Sequence, residues 1–149
     1  MKKLLFTIFT VSVLMSCSND DNSSGNSNDL LSGQVFETYF MAQGGRADLD
    51  DETITIRYGF NGEGCETDDG SDLFRIEIKI PNTIGVHSGN GTFVAFNDGE
   101  GSFTVLFGES VEAEIFSLTD TTVDFRIEAG DSFFDDTNLS GRHQVNICD

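Results

Sequence analysis

Apolar and polar side chains alternate with a period of two in several short runs of this chain, most regularly in Leu73-Phe74-Arg75-Ile76-Glu77-Ile78-Lys79-Ile80. Phe74, Ile76, Ile78 and Ile80 fall on one side and Arg75, Glu77 and Lys79 on the other, the pattern of a half-buried strand. The same period recurs over residues 53–58, 103–107 and 123–128, each read as an apolar face on a core and a mostly polar face in water. Weaker matches at 34–41, 92–96, 111–118 and 141–147 bring the expectation to about eight strands. Asn97-Asp98-Gly99-Glu100-Gly101, Gly108-Glu109-Ser110 and Thr119-Asp120 read as hairpin turns, and the stretch from Pro81 to His87 as a loop. No sustained helical stripe follows the first seventeen residues, so sequential antiparallel pairing is expected.

Strands of this kind bury their apolar faces by stacking two sheets or by closing into a barrel. An all-β, antiparallel β-sandwich of about eight strands is the expected architecture, because the polar faces read as solvated and no small-residue lining marks a ligand cavity. An eight-stranded up-and-down β-barrel is the alternative. Residues 30–149 are one domain's worth of chain, long enough for a real core.

The N-terminus has a different pattern. Met1-Lys2-Lys3 precedes an apolar run over 4–15 that ends at Ser16 and Cys17. This is the layout of a secretory signal, and the run is shorter than the roughly 20 residues a membrane-spanning helix needs. Leu14-Met15-Ser16-Cys17 resembles the bacterial lipobox, which implies cleavage before Cys17 and diacylglycerol on its thiol. Acyl chains bury about 0.8 kcal/mol per CH₂, so several together anchor stably. The chain thus divides into a signal peptide (1–16), a polar tether (17–29) and one β domain (30–149). Asp20 and Asp21 in the tether are similar to the acidic surface-export signals of Bacteroidetes lipoproteins. The resemblance implies an outer-membrane, lipid-anchored protein on the periplasmic or cell-surface face.

Charge and cysteine count then narrow the partners. The chain carries 26 acidic and 8 basic residues, and losing Lys2 and Lys3 with the signal takes the formal charge from −18 to −20. Nucleic acid is excluded as a partner, since phosphate backbones are bound through Lys and Arg. Anionic headgroups repel the domain as well, leaving the lipid to hold it to the membrane. With Cys17 assigned to lipid, Cys65 and Cys148 remain in a compartment where disulfides persist. A bridge is the simplest outcome, worth about 4 kcal/mol in the chain-entropy model. Two unlinked thiols are the competing reading. A cysteine after an early strand and another in the last strand is similar to small β-rich Bacteroidetes lipoproteins.

Catalytic candidates are sparse. His87 falls in the expected loop, His143 shares a strand face with Gly141, Val145 and Ile147, and no Gly-x-Ser-x-Gly elbow accompanies either. The domain is therefore read as non-enzymatic. Acidic clusters occur at 48–52, 66–72 and 131–136; in the second, Asp68, Asp69 and Asp72 beside Gly70 are the candidate Ca²⁺ ligands, and no other cofactor is indicated. Exposed aromatics for glycan binding would come from Tyr39, Tyr58, Phe116, Phe133 or Phe134; core packing is the default for all but Phe116 and one of the Phe133-Phe134 pair, and alternation assigns Tyr58 inward. Asp120-Thr121-Thr122 resembles the acceptor of Bacteroidetes protein O-glycosylation, which implies modification at Thr121.

These readings define a membrane-anchored, extracytoplasmic lipoprotein serving as a binding or structural envelope module, with a glycan or an envelope protein as partner. The alternatives are a small β-barrel carrier of an apolar ligand and an accessory domain of a glycan-processing system. An empty apolar interior would favour a carrier, and a filled core with an exposed aromatic patch would favour surface recognition.

Overall fold

The computed structural model describes residues 30–36, 38–59, 65, 75–130 and 137–148. Among them are nine strands: β1 (Ser32–Val35), β2 (Thr38–Met41), β3 (Arg46–Leu49), β4 (Thr53–Gly59), β5 (Arg75–Pro81), β6 (Gly85–Asn97), β7 (Phe103–Leu118), β8 (Thr122–Gly130) and β9 (Asn138–Cys148). Cys17, the tether, Phe133, Phe134 and the Asp68, Asp69 and Asp72 cluster lie outside the described residues.

The strands form a closed barrel, the second of the two arrangements expected, and not a pair of stacked sheets. β3 to β9 follow one another as an antiparallel meander, and β9 then pairs with β3 to close the ring. Seven strands close the ring. An odd number of alternating strands leaves first and last pointing the same way, so the closing pair is parallel, with Arg46 opposite Asn146 and Asp48 opposite Cys148. β9 divides one edge between two partners: Asn138 to Ser140 pair with β1, and Asn146 to Cys148 with β3. The run at 34–41, expected as one strand, is a hairpin of β1 and β2. Its turn holds Phe36 at φ 51°, and the Phe36 amide donates to Thr137 Oγ1 at 3.2 Å.

Alternation explains what fills the ring. Ile54, Ile56 and Tyr58 of β4, Ile76, Ile78 and Ile80 of β5, and Val123, Phe125 and Ile127 of β8 are all buried, while Arg57, Glu77, Lys79 and Arg126 point outward between them. Each such core side chain contributes about 1.5–3 kcal/mol by leaving water. Leu31, Val35 and Phe40 bring the β1–β2 hairpin onto this core. Phe40 meets Tyr58 edge-on, ring centroids 5.6 Å apart.

A close approach makes one glycine necessary. A Cβ on Gly45 (φ 149°) would sit 2.5 Å from Tyr58 Cε1 and 3.1 Å from Val145 Cγ1. Without it, the Tyr58 ring lies across the start of β3 and reaches β9.

Cys65 and Cys148 are joined by a disulfide, with Cα atoms 5.4 Å apart. The bridge ties the β4–β5 connection to the end of β9, beside the parallel pair that closes the ring.

Candidate functional site

β6 and β7 are longer than their alternation suggests, and each changes faces partway. In β6, Thr92, Val94 and Phe96 point inward, whereas Val86, at the same parity, is 60% exposed. In β7, Leu106 is buried, and so are Val111, Ala113 and Ile115, at the opposite parity. Two residues of opposite parity can both face inward only if the strand is interrupted between them. The β6–β7 register shifts around Gly89, which lies opposite Gly108; both have positive φ, 75° and 69°. Gly108-Glu109-Ser110, expected as a hairpin turn, is therefore an irregularity within one strand. His87, expected in a loop, lies in β6 for the same reason.

The consequence is a reversed face. Phe103, Val105 and Phe107 carry the alternation expected to face the core, yet they are 65%, 37% and 70% exposed, while Leu106 between them is buried. The inward positions opposite are already occupied: Val94 pairs with Leu106, and Phe96 with Thr104. On the outer surface the register sets Asn97 beside Phe103, Ala95 beside Val105 and Phe93 beside Phe107. β5 extends these rows with Arg75, Glu77 and Lys79. The result is a cleft of about 540 Å³ with an aromatic floor and wall, Arg75 and Glu77 at one side, and Asn97 at one end. That volume lies within the range of ligand sites, roughly 300–1,000 Å³. Glu77 is held by Arg57 Nε at 3.0 Å, whereas Arg75 has no ion-pair partner among the described residues.

The two histidines are both engaged. His143 Nδ1 lies 3.0 Å from the Tyr58 hydroxyl, with the rings 5.7 Å apart. Burial pushes the Tyr58 phenol well above its usual range and the His143 imidazole below its own, so both stay neutral near pH 7. His87 Nε2 donates to the Thr83 carbonyl at 2.6 Å.

The acidic cluster at 48–52 builds a turn. Asp50 Oδ1 accepts from the amides of Glu52 (2.9 Å) and Thr53 (2.7 Å), and these bonds lower its carboxyl pKa. Asp48 pairs with Arg57. No cluster of three or more metal-ligating side chains occurs among the described residues.

Of the expected aromatics, Tyr58 is inward as alternation indicates, but Tyr39 is 67% exposed instead of packed in the core. Phe116 is half-buried, at the point where the β7–β8 register shifts, with the Arg142 guanidinium 4.1 Å above its ring. Asp124 fixes that guanidinium through two hydrogen bonds, 2.9 and 2.6 Å, which raise its pKa further. Thr121 is exposed in the β7–β8 turn, with its carbonyl accepting from the Ile147 amide at 2.8 Å.

Sequence reasoning missed the β5–β6–β7 outer face, because Phe103, Val105 and Phe107 match an inward pattern. The available signal was the parity conflict between Leu106 and Val111 across Gly108. No protein-family model, curated protein or solved structure matches the chain.

Proposed function

We propose that the domain is a non-enzymatic recognition module, held at the outer membrane by lipid on Cys17, that binds its partner on the outer face of β5, β6 and β7. The observation that carries this reading is the exposure of Phe103, Val105 and Phe107 on one strand face beside Phe93. Isolated exposed apolar residues need no explanation, but a contiguous patch next to a cleft marks an interaction surface. The interior supports recognition over carriage, because Tyr58, Phe96, Phe125 and seven fully buried isoleucines fill the space a carrier would leave for a ligand. Anchorage and surface location rest on the lipobox resemblance at Leu14-Met15-Ser16-Cys17.

A photo-crosslinking phenylalanine analogue installed at Phe103 of the full chain in cells tests the reading. A dominant adduct that disappears on adding Phe107→Ser is expected. The same diffuse adducts with and without Phe107→Ser would overturn it.

A further inference from the structure

The patch has an edge as well as a face. β8 runs beside β7 only from Val111 to Leu118, so among the described residues Phe103 to Phe107 are paired on the β6 side alone. The direction of the free backbone groups follows from the turn. Asp98 N–H donates to the Ser102 carbonyl at 3.3 Å, which makes 98 and 102 a hydrogen-bonded pair. Bonded and non-bonded pairs alternate along an antiparallel ladder. Phe96/Thr104 and Val94/Leu106 therefore exchange bonds, and the amides and carbonyls of Phe103, Val105 and Phe107 point away from β6. The residues whose side chains form the aromatic face are those whose backbone groups line the edge that is unpaired among the described residues.

An open, uncharged, β-prone edge is a template for another strand, and natural proteins usually blunt such edges with Lys, Pro or a bulge. Phe103-Thr104-Val105-Leu106-Phe107 carries none of these within its length. Its ends, by contrast, are acidic: Asp98 and Glu100 flank the turn, and Glu109 and Glu112 follow the irregularity at Gly108. The Asp98 carboxyl is held ionised by bonds from Ser102 and the Glu100 amide.

Resting on the recognition reading above, we infer that the β7 edge from Phe103 to Phe107 accepts an extended peptide strand with alternating apolar side chains and basic residues at its ends. Main-chain bonds to the three outward-pointing residues supply affinity, and the partner's apolar side chains extend the aromatic face. A second copy of this chain fits the edge poorly. Antiparallel self-pairing centred on Val105 would set Phe103 opposite Phe107 and run Glu109 and Glu112 alongside Glu100 and Asp98, like charge against like. Each copy also brings its own formal charge of −20 once the signal is removed.

The test uses the full chain and the synthetic peptide Lys-Lys-Val-Thr-Val-Thr-Val-Lys-Lys. Saturable binding is expected, with amide exchange at Phe103, Val105 and Phe107 slowed at least about tenfold. N-methylation of the peptide's edge-facing amides should abolish binding, and Glu in place of the terminal lysines should weaken it by about tenfold or more at low salt. Val105→Pro, which removes an amide that does not face β6, should lose binding with an unchanged thermal midpoint. Equal binding of the N-methylated peptide would overturn the edge inference while leaving the apolar face as the site. Absence of saturable binding by the unmodified peptide would overturn the edge inference too, and the Phe103 crosslink then judges the recognition reading by itself. A chain that dimerises alone, and is made monomeric by Val105→Pro, would replace the peptide with a second copy and overturn the proposal.

Discussion

The two halves of β7 carry the same kind of pattern and end up with opposite faces in the core. Val111, Ala113 and Ile115 are buried to within 1% of complete, as their alternation indicates. Phe103, Val105 and Phe107, with larger and more apolar side chains, stand in water. Hydrophobicity therefore does not decide orientation here; register does. Val94, Phe96 and Leu106 hold the inward positions of the first half, and the irregularity at Gly108 resets the phase before Val111. A strand that exposes its better apolar face forgoes burial free energy, and such a cost is expected where the face has a use.

The largest effects expected are those that attack the buried half. Ile115→Ala should cost about 2–5 kcal/mol in urea unfolding, because it empties a site that the neighbouring strands cannot collapse into. Breaking the bridge with Cys148→Ser should cost about 4 kcal/mol by the same measurement, since it releases a loop closed over 83 residues of sequence separation. A smaller loss, about 1–2 kcal/mol, is expected for Gly108→Ala, where a Cβ would meet nothing within 4 Å and the cost is the left-handed backbone alone. If Gly108→Ala proves neutral, the phase change does not depend on that conformation.

Much of the barrel wall was legible in the sequence and its closure was not. Residues 53–58, 75–80 and 123–128 take their places because strict alternation with Ile, Val and Phe admits one buried face. β3 escaped notice because Arg46-Ala47-Asp48-Leu49 is short and polar; it is held by its partners, Arg57 and Asn146 among them, more than by its own pattern. Sandwich and barrel share a period of two, so only the parallel β9–β3 pair, a contact across a hundred residues of sequence, separates them. The patch was hidden for a related reason. Parity within a run is visible in sequence, but which parity faces inward is set by the strand next door.

The interior offers the converse of the patch, a polar pair held where apolar residues dominate. His143 titrates below its ordinary range in the fold, whereas in the unfolded chain it takes a proton near pH 6.5. The unfolded state thus binds more protons as pH falls, and His143 contributes stability that is present above about pH 6.5 and lost progressively below it. His143→Gln should flatten the fall of unfolding free energy between pH 6.5 and 5 relative to the parent chain. An identical slope in both would mean that His143 protonates equally in the two states. Smallest of all, Phe103→Ser combined with Phe107→Ser should change stability by no more than about 0.5 kcal/mol in either direction, as exposed substitutions do. A loss comparable to that of Ile115→Ala would place those rings in the core.

The claim on which site and edge both depend is that β7 exchanges its faces at Gly108, and paramagnetic broadening by a soluble, uncharged probe measures this directly. In NMR spectra of the full chain, the side-chain signals of Phe103, Val105 and Phe107 should broaden strongly while those of Leu106, Val111 and Ile115 persist. Broadening of Leu106 with protection of Phe103 and Phe107 would contradict the account.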